Sequence, residues 1–196
     1  MTAYRDLSQI PLMKYGLIMA DPPWAFDHWG QPGERSAGSK YQTMTFDEIA
    51  AIRVGDMLTG EGIVWLWITP AFAHRVNEIW EAWRIKPVTM GWWLKTTKSE
   101  PIRPAIGTGH VMRETGEPYF IGKIGDPRFR DKSIRSTIMA PRGRHSEKPE
   151  EAYRNAERLA HPQAFRLDLF SRKTRPGWDS AGNEAGKFDE VEPDHG

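Results

Sequence analysis

Residues 21 to 24 read Asp-Pro-Pro-Trp and bring a carboxylate, a rigid turn and a large aromatic ring together. Pro22 and Pro23 fix φ at successive positions and have no N–H donor, so we expect their carbonyl oxygens to point outward as acceptors beside Asp21. Trp24 would supply a flat apolar face on which a planar heterocycle can stack. Such an acceptor set suits a planar aromatic amine.

An adenine N6 amine is a poor nucleophile, because its lone pair is delocalised into the ring. Acceptors that hold both of its N–H groups favour the more tetrahedral nitrogen of the attacking state, and binding energy that appears only there increases the rate. The alternative is an ordinary turn after a strand, with Trp24 as a surface anchor. Four residues do not decide between these two interpretations.

Short apolar runs alternate with helical patterns, which predicts an α/β fold with a mostly parallel sheet flanked by helices. The runs at 15 to 20 and 62 to 68 are unbroken, as in strands covered on both faces. Asp21 follows the first run and would lie at the carboxyl end of a strand, where ligands bind in such sheets. Further strands are predicted at 86–96, 117–124, 135–141 and 164–170, the last of which would be the final strand.

Capping residues predict where the helices begin. Thr45 with a glutamate three residues later is a capping-box signature, which indicates a helix over about 45 to 58. Pro70 would begin a second helix that ends near residue 83 and turns its tryptophans into the core. Pro149 would begin a third helix, with two acids in its first turn.

The chain of 196 residues is long enough for one core, so we expect one domain over residues 1 to 184 and a flexible acidic tail over 185 to 196. The segments 25 to 43 and 96 to 110 are predicted to be loops that could close over bound molecules. A third irregular segment would begin at residue 173.

The composition excludes several kinds of site. The chain has no cysteine, which excludes disulfides and thiolate chemistry. Its six histidines show no metal-ligand spacing, so no metal is expected, and neither a G-x-G-x-x-G motif nor a P-loop is present. We expect no membrane interaction and a cytoplasmic location, because we find neither an apolar run long enough to span a bilayer nor a secretory leader.

The net charge of +1 hides a segregated distribution. Residues 126 to 148 hold seven Arg or Lys, and residues 184 to 196 hold five acids. The basic stretch is either a solvated face or an edge that contacts nucleic-acid phosphates. For the second case the leading candidates are Arg142, Arg144 and His145.

Taken together, these motifs resemble the MT-A-type N6-adenine methyltransferases, in which DPPW is the catalytic signature. The similarity continues in the family's order through GIVWLWIT, WWLKT, GTGHVMRETGEPYFIGKIG, RHSEKPEEAY and RLDLFSRKTRPGWDSAGNE, and covers about residues 15 to 184. The resemblance implies a Rossmann-like fold, S-adenosylmethionine as cofactor and an adenine of nucleic acid as target. The catalytic residues that it implies are Asp21, Pro22, Pro23 and Trp24.

The same resemblance implies a set of cofactor-binding residues. Asp21 would meet the methionine ammonium of the cofactor, and Lys148 would hold its carboxylate. The other implied positions follow the last predicted strand: Asp168 lines the site, Phe170 packs near it, Arg172 reaches the sugar, and Asn183 and Glu184 contact adenine and ribose.

The chain departs from the family pattern in three places. Residues 173 to 175 read Lys-Thr-Arg where the eukaryotic enzyme has Pro-His-Asn, and Glu184 stands for a glutamine. Near the N-terminus, Ala3 and Tyr4 occupy the place of an acid that pairs with the cofactor adenine, for which Asp6 could substitute.

The target base would be single-stranded or flipped out of a duplex. We expect DNA of the bacterial or phage type more than RNA, because the chain lacks the accessory regions of the eukaryotic enzyme. A non-catalytic nucleic-acid-binding subunit and a cytosine N4 methyltransferase are the alternatives, and the sequence leaves monomer or homodimer undecided.

Overall fold

The computed structural model describes residues 1–25, 43–107, 111–143, 147–187 and 189. The eight strands of this part are β1 (Ala3–Tyr4), β2 (Tyr15–Ala20), β3 (Leu58–Trp67), β4 (Lys86–Thr96), β5 (Gly116–Ile124), β6 (Thr137–Pro141), β7 (Arg166–Leu169) and β8 (Asp179–Ala181). Its α-helices are α1 (Phe46–Ala50), α2 (Val54–Met57), α3 (Val76–Trp83) and α4 (Glu150–Leu159), and short 3₁₀ helices span Leu7–Gln9 and Pro70–Arg75.

The strands form one sheet in the order β1-β8-β7-β2-β3-β5-β4-β6. All of its neighbouring pairs are parallel except those of β5 with β3 and β4. The predicted α/β fold with a mostly parallel sheet is confirmed. We call the edge where the parallel strands end the carboxyl edge and the opposite one the amino edge. β5 runs the other way and therefore begins at the carboxyl edge.

Apolar side chains of the central strands alternate between two cores, one on each face of the sheet. Ile18 of β2 packs with residues of α1, α2 and α3, whereas its neighbours Leu17 and Met19 pack with residues of α4. No side chain of these three is exposed. The unbroken apolar run of β2 is thus explained by helices on both faces.

The capping box at the start of α1 is confirmed. The amide of Thr45 donates to Glu48 Oε2 at 2.7 Å, and the Glu48 amide donates back to Thr45 Oγ1 at 3.2 Å. The predicted helix is nevertheless two short helices, and α2 packs closely on α3, where a Cβ at Gly55 would lie 2.1 Å from the carbonyl oxygen of Trp83. The predicted second helix is likewise divided, since Pro70 begins a 3₁₀ turn that precedes α3.

The prediction that residues 164 to 170 hold the last strand is wrong. β8 follows in the segment expected to be irregular, and it pairs with β7 on one side and β1 on the other. Neither β1 nor β8 exceeds three residues, and β8 reads Asp-Ser-Ala, so no apolar run marks it. Of the predicted tail, Asp189 accepts a hydrogen bond from the Thr174 amide at 2.8 Å, and residues 188 and 190 to 196 lie outside the described part.

Candidate active site at the carboxyl edge

A group of four charged side chains lies at the carboxyl edge. Asp21 follows β2, Glu117 is near the start of β5, Lys95 is near the end of β4, and Lys148 precedes α4. The ammonium of Lys148 lies 2.9 Å from Asp21 Oδ1 and 2.9 Å from Glu117 Oε1, and Lys95 lies 3.0 Å from Glu117 Oε2. Because β5 is antiparallel to its neighbours, its first residues reach the same edge as the end of β2.

Burial and charge act against each other in this group. Burial raises the pKa of Asp21, although the charge of Lys148 opposes it, and the neighbouring Glu117 raises the pKa of Asp21 further. Burial would also raise the pKa of Glu117, but Lys148 and Lys95 outweigh it and hold that pKa below its ordinary value. The two carboxylates raise the pKa of Lys148, although burial alone would lower it. Lys148 is therefore charged at neutral pH.

The main chain fixes the position of Asp21. Its amide donates to the carbonyl of Leu169 at 3.1 Å, which ties the turn to the end of β7. The carbonyl of Pro22 accepts from the Trp24 amide at 2.9 Å, and that of Pro23 accepts from the Met44 amide at 2.8 Å. Both proline carbonyls therefore accept a hydrogen bond from within the chain, which the expectation of two outward-facing acceptors did not include. A carbonyl oxygen has two lone pairs, so each of them keeps capacity for a second donor.

Trp24 belongs to the core, which corrects the prediction that its face is open for stacking. Only 5% of the residue is exposed, and its indole N–H donates to the carbonyl of Trp67 at 3.3 Å. Its ring centroid lies 5.9 Å from that of Phe46 and 5.6 Å from that of Phe72. Trp24 therefore anchors the turn to the core that also contains residues of α1 and α3.

Asp168 lies against α4, and its predicted place lining the cofactor site stays a prediction. It is 3% exposed and accepts a hydrogen bond from the Tyr153 hydroxyl at 3.0 Å. Burial raises the pKa of Asp168 to about 7, although the hydrogen bonds of Ser171 and Tyr153 act in the opposite direction. Arg175 lies 3.5 Å above the Tyr153 ring and braces that side chain.

The backbone after β7 has an unusual conformation at the predicted cofactor positions. Phe170 has φ of 69°, in the left-handed region that a bulky residue rarely adopts. Gly182 follows β8 with φ of 140°, and a Cβ there would lie 3.0 Å from Phe170 Cα. Glycine is therefore required at 182 for β7 and β8 to end side by side.

Arg172 and Glu184, both predicted to bind cofactor, are brought together. Arg172 Nε lies 2.8 Å from Glu184 Oε2, and both side chains are partly buried. The Arg172 charge also acts against the raised pKa of Asp21, so Arg172 is close enough to affect the ionisation of that carboxyl. The adjacent Asn183 is exposed. Asp6 caps the first 3₁₀ helix, with Oδ1 accepting from the Ser8 amide at 2.9 Å.

The predicted nucleic-acid residues are only partly described. Arg142 follows β6 at the carboxyl edge and is exposed, whereas Arg144 and His145 lie outside the described residues. A Cβ placed on Gly107 would be 3.0 Å from an Arg142 guanidinium nitrogen, so the connection between β4 and β5 reaches this arginine. The start of that connection folds back, with the Ala105 amide donating to the Lys95 carbonyl at 2.6 Å.

Comparison with known proteins decides the family. The MT-A70 family profile matches residues 15–184, which is most of the chain. The chain belongs to the MT-A70 family. The predicted resemblance to the MT-A type is thereby confirmed.

MT-A70 relatives occur in eukaryotes and bacteria. The chain is 33% identical over 172 residues to the "N(6)-adenosine-methyltransferase MT-A70-like" of Arabidopsis thaliana, covering 87% of this chain and 24% of that protein. It is 29% identical to the "N(6)-adenosine-methyltransferase catalytic subunit METTL3" of Homo sapiens, covering 97% of this chain and 31% of the relative. The "Type II methyltransferase M.MunI" of Mycoplasma sp is 27% identical, and the alignment covers 90% of this chain and 80% of that protein. The chain thus spans only about a quarter of the plant relative.

Glu117 and Lys95 were not among the predicted site residues of this MT-A70 chain. Each is a charged residue near one end of its strand, and only the antiparallel placement of β5 shows that they meet. Lys148 also lies 5.3 Å from the Trp67 ring centroid, which places a strand-end tryptophan beside the charges. The alternation of charge and apolar residues in WLKT and GEPYF was the available signal.

Proposed function

We propose that this protein transfers a methyl group from S-adenosylmethionine to the N6 amine of adenine in DNA. The observation that carries the proposal is Asp21 at the carboxyl edge, with one carboxylate oxygen held by Lys148 at 2.9 Å. The Asp21 side chain is 23% exposed, so a bound molecule can reach its carboxylate. An oriented carboxylate of this kind can receive an amine N–H.

The donor set fits the cofactor. An ammonium group has three N–H donors, and Lys148 uses two of them on Asp21 and Glu117, which leaves one for the carboxylate of a methionine moiety. Asp21 can accept from the methionine ammonium, and Glu184 can accept from ribose hydroxyls. Bound S-adenosylmethionine would supply an activated methyl group, so that no covalent enzyme intermediate is required.

The chain's own residues would orient the amine and accept the proton that it loses. Asp21 Oδ2 and the second lone pair of the Pro22 carbonyl would hold the two N–H groups, so that the nitrogen lone pair turns away from the ring. The bound cofactor would supply the methyl group, its sulfur would keep the electron pair of the broken bond, and the methylated nitrogen would then have to lose a proton. Asp21, whose pKa burial raises, is the nearest group able to take that proton.

The choice of DNA follows the bacterial relative, because the alignment spans 80% of its length but only 24% to 31% of the plant and human proteins. The alternative substrate is RNA, which the names of the adenosine methyltransferases favour. A non-catalytic binding subunit is the alternative of another class, and the pairing of Asp21 with Lys148 speaks for catalysis instead.

The test is to incubate DNA and RNA of the same sequence separately with labelled S-adenosylmethionine and to identify the methylated nucleosides by mass spectrometry. We expect N6-methyladenine in DNA, with single-stranded substrate preferred or equal to duplex. Methylation of RNA alone would overturn the choice of polymer. Binding of either polymer with no methylation, and no calorimetric heat with the cofactor, would favour the binding subunit.

A further inference from the structure

We propose that a groove at the amino edge, on the far side of the sheet from Asp21, binds a single strand of the nucleic acid outside the target base. The identity of the polymer rests on the proposed function, but the groove itself does not. Its volume is about 860 Å³, and its walls are the start of the connection between β5 and β6 and the turn between α4 and β7. The lining residues used below are Lys14, Glu61, Arg128, Arg130, His161 and Phe165.

The groove carries three permanent cations against one carboxylate. Arg128 and Arg130 are exposed, and neither forms an ion pair within the described part of the chain. Lys14 pairs with Asp179 at 2.7 Å and keeps 27% of its side chain exposed. Glu61 is the acid of the lining. This charge balance favours a polyanionic ligand. Arginines can bind the phosphates of a nucleic acid whatever its base sequence.

An aromatic ring stands among these cations. Phe165 is 63% exposed, although its carbonyl accepts from the amides of Gly16 and Leu17 at 3.0 and 3.3 Å, which fix its backbone to β2. The Lys14 ammonium lies 5.5 Å from the ring centroid. A rigidly mounted exposed ring beside cations is the arrangement that stacks bases of single strands while the cations follow the backbone.

The position of β6 explains why one basic segment serves two edges. Arg128 and Arg130 precede β6 and lie at the amino edge, whereas Arg142 follows β6 and lies at the carboxyl edge. Residues 126 to 148 were predicted to form a single phosphate-contacting edge. These three arginines instead lie at both edges of the sheet, one strand length apart. At about 3.3 Å per residue, the six residues of β2 separate the two edges by roughly 20 Å. Only a strand that extends well beyond the target base reaches both.

The experiment measures binding by fluorescence anisotropy with two single-stranded DNA oligonucleotides that share a central adenine, one of about 6 and one of about 30 nucleotides. We expect Arg128→Glu to raise Kd for the long oligonucleotide about tenfold and to reduce the slope of log K against log salt by about one. Phe165→Ala should raise the same Kd about fivefold or more. Neither variant should change Kd or methylation for the short oligonucleotide.

Two control variants lie outside the groove. Arg154→Glu makes the same charge change on an exposed residue of α4, and Met90→Ala removes an exposed apolar side chain of β4. Both should bind the long oligonucleotide as the wild type does. Unchanged long-strand binding in Arg128→Glu and Phe165→Ala, equal losses for both lengths, or equal losses in Arg154→Glu would each contradict the groove. If the wild type methylates nothing, the proposed function fails, and the difference between long and short binding still decides the groove.

Discussion

The Lys148 ammonium lies 2.9 Å from a carboxylate oxygen of Asp21 and equally near one of Glu117, so one buried cation orients an acid that follows β2 and an acid of β5. The Asp21 carboxylate is consequently aimed by a charge-assisted hydrogen bond before any ligand binds. The chemistry proposed for Asp21 therefore depends on Lys148 even if Lys148 does not touch the substrate.

Lys148→Met should lower the free energy of unfolding at pH 7 by about 3 to 5 kcal/mol, because it removes the cation that pairs with Asp21 and one of the two that pair with Glu117. The loss should shrink as the pH falls, since both acids then take up protons. Urea unfolding at pH 7 and pH 5 measures this. The matched control is Lys123→Met, whose partner Asp126 is 91% exposed and whose pair should contribute less than about 1 kcal/mol.

The same Lys148 variant should weaken cofactor binding by about 1.5 to 3 kcal/mol, the usual size of a charge-assisted hydrogen bond. Isothermal titration calorimetry with S-adenosylmethionine checks it. An unchanged affinity would show that Lys148 does not bind the cofactor. Its remaining role would be to orient Asp21.

Glu117→Gln should shift the acid limb of the pH–rate profile to lower pH. The negative charge of Glu117 raises the pKa of Asp21, so its removal lowers that pKa and keeps Asp21 ionised in more acidic solution. Single-turnover methylation between pH 5 and pH 8 gives the profile. Glu61→Gln at the amino edge is the control, and an acid limb that stays in place in both variants would contradict the coupling.

Asp168→Asn should flatten the dependence of stability on pH. The pKa of Asp168 in the folded protein is about 7 against an ordinary 3.8, so between these values the folded chain holds a proton that the unfolded chain releases. Its contribution is fully present below about pH 4 and is lost as the pH rises through about 7, a change of up to about 4 kcal/mol. Denaturant unfolding of wild type and variant should give similar stabilities below about pH 4, and the wild type should become the less stable of the two as the pH rises through about 7. Parallel curves would rule out the raised pKa.

Trp24→Ala should lower the free energy of unfolding by about 3 to 5 kcal/mol, as for other buried aromatic side chains. Trp24→Phe keeps ring packing against Phe46 and Phe72 but loses the hydrogen bond to Trp67, so it should cost less. Thermal unfolding ranks the two variants. A Trp24→Ala protein that is as stable as the wild type but binds substrate more weakly would contradict the core role. It would support stacking of Trp24 on the target base.

The sequence predicts those parts of the fold in which an unbroken apolar run or a cap is decisive. β2 and β4 have the predicted bounds, and Thr45 caps α1 as expected. β8 could not be predicted, because three polar or small residues form a strand only when β1 and β7 lie on either side of them. Tertiary pairing outweighs local propensity there.

The candidate site was predictable in position but not in its contacts. The motif places Asp21 after a strand, but the direction of Trp24 depends on Phe46 and Phe72, which are distant in the chain. Similarly, nothing local to Glu117 shows that it shares Lys148 with Asp21. These relationships arise from the sheet order and become visible only in three dimensions.

Asp21→Asn tests the central claim most directly, because it keeps the shape of the side chain and removes its charge. We measure N6-methyladenine formed in a single turnover on single-stranded DNA, with cofactor binding followed in parallel by calorimetry. We expect methylation to fall at least about a hundredfold while the fold and most of the cofactor affinity remain. Methylation at close to the wild-type rate would contradict it.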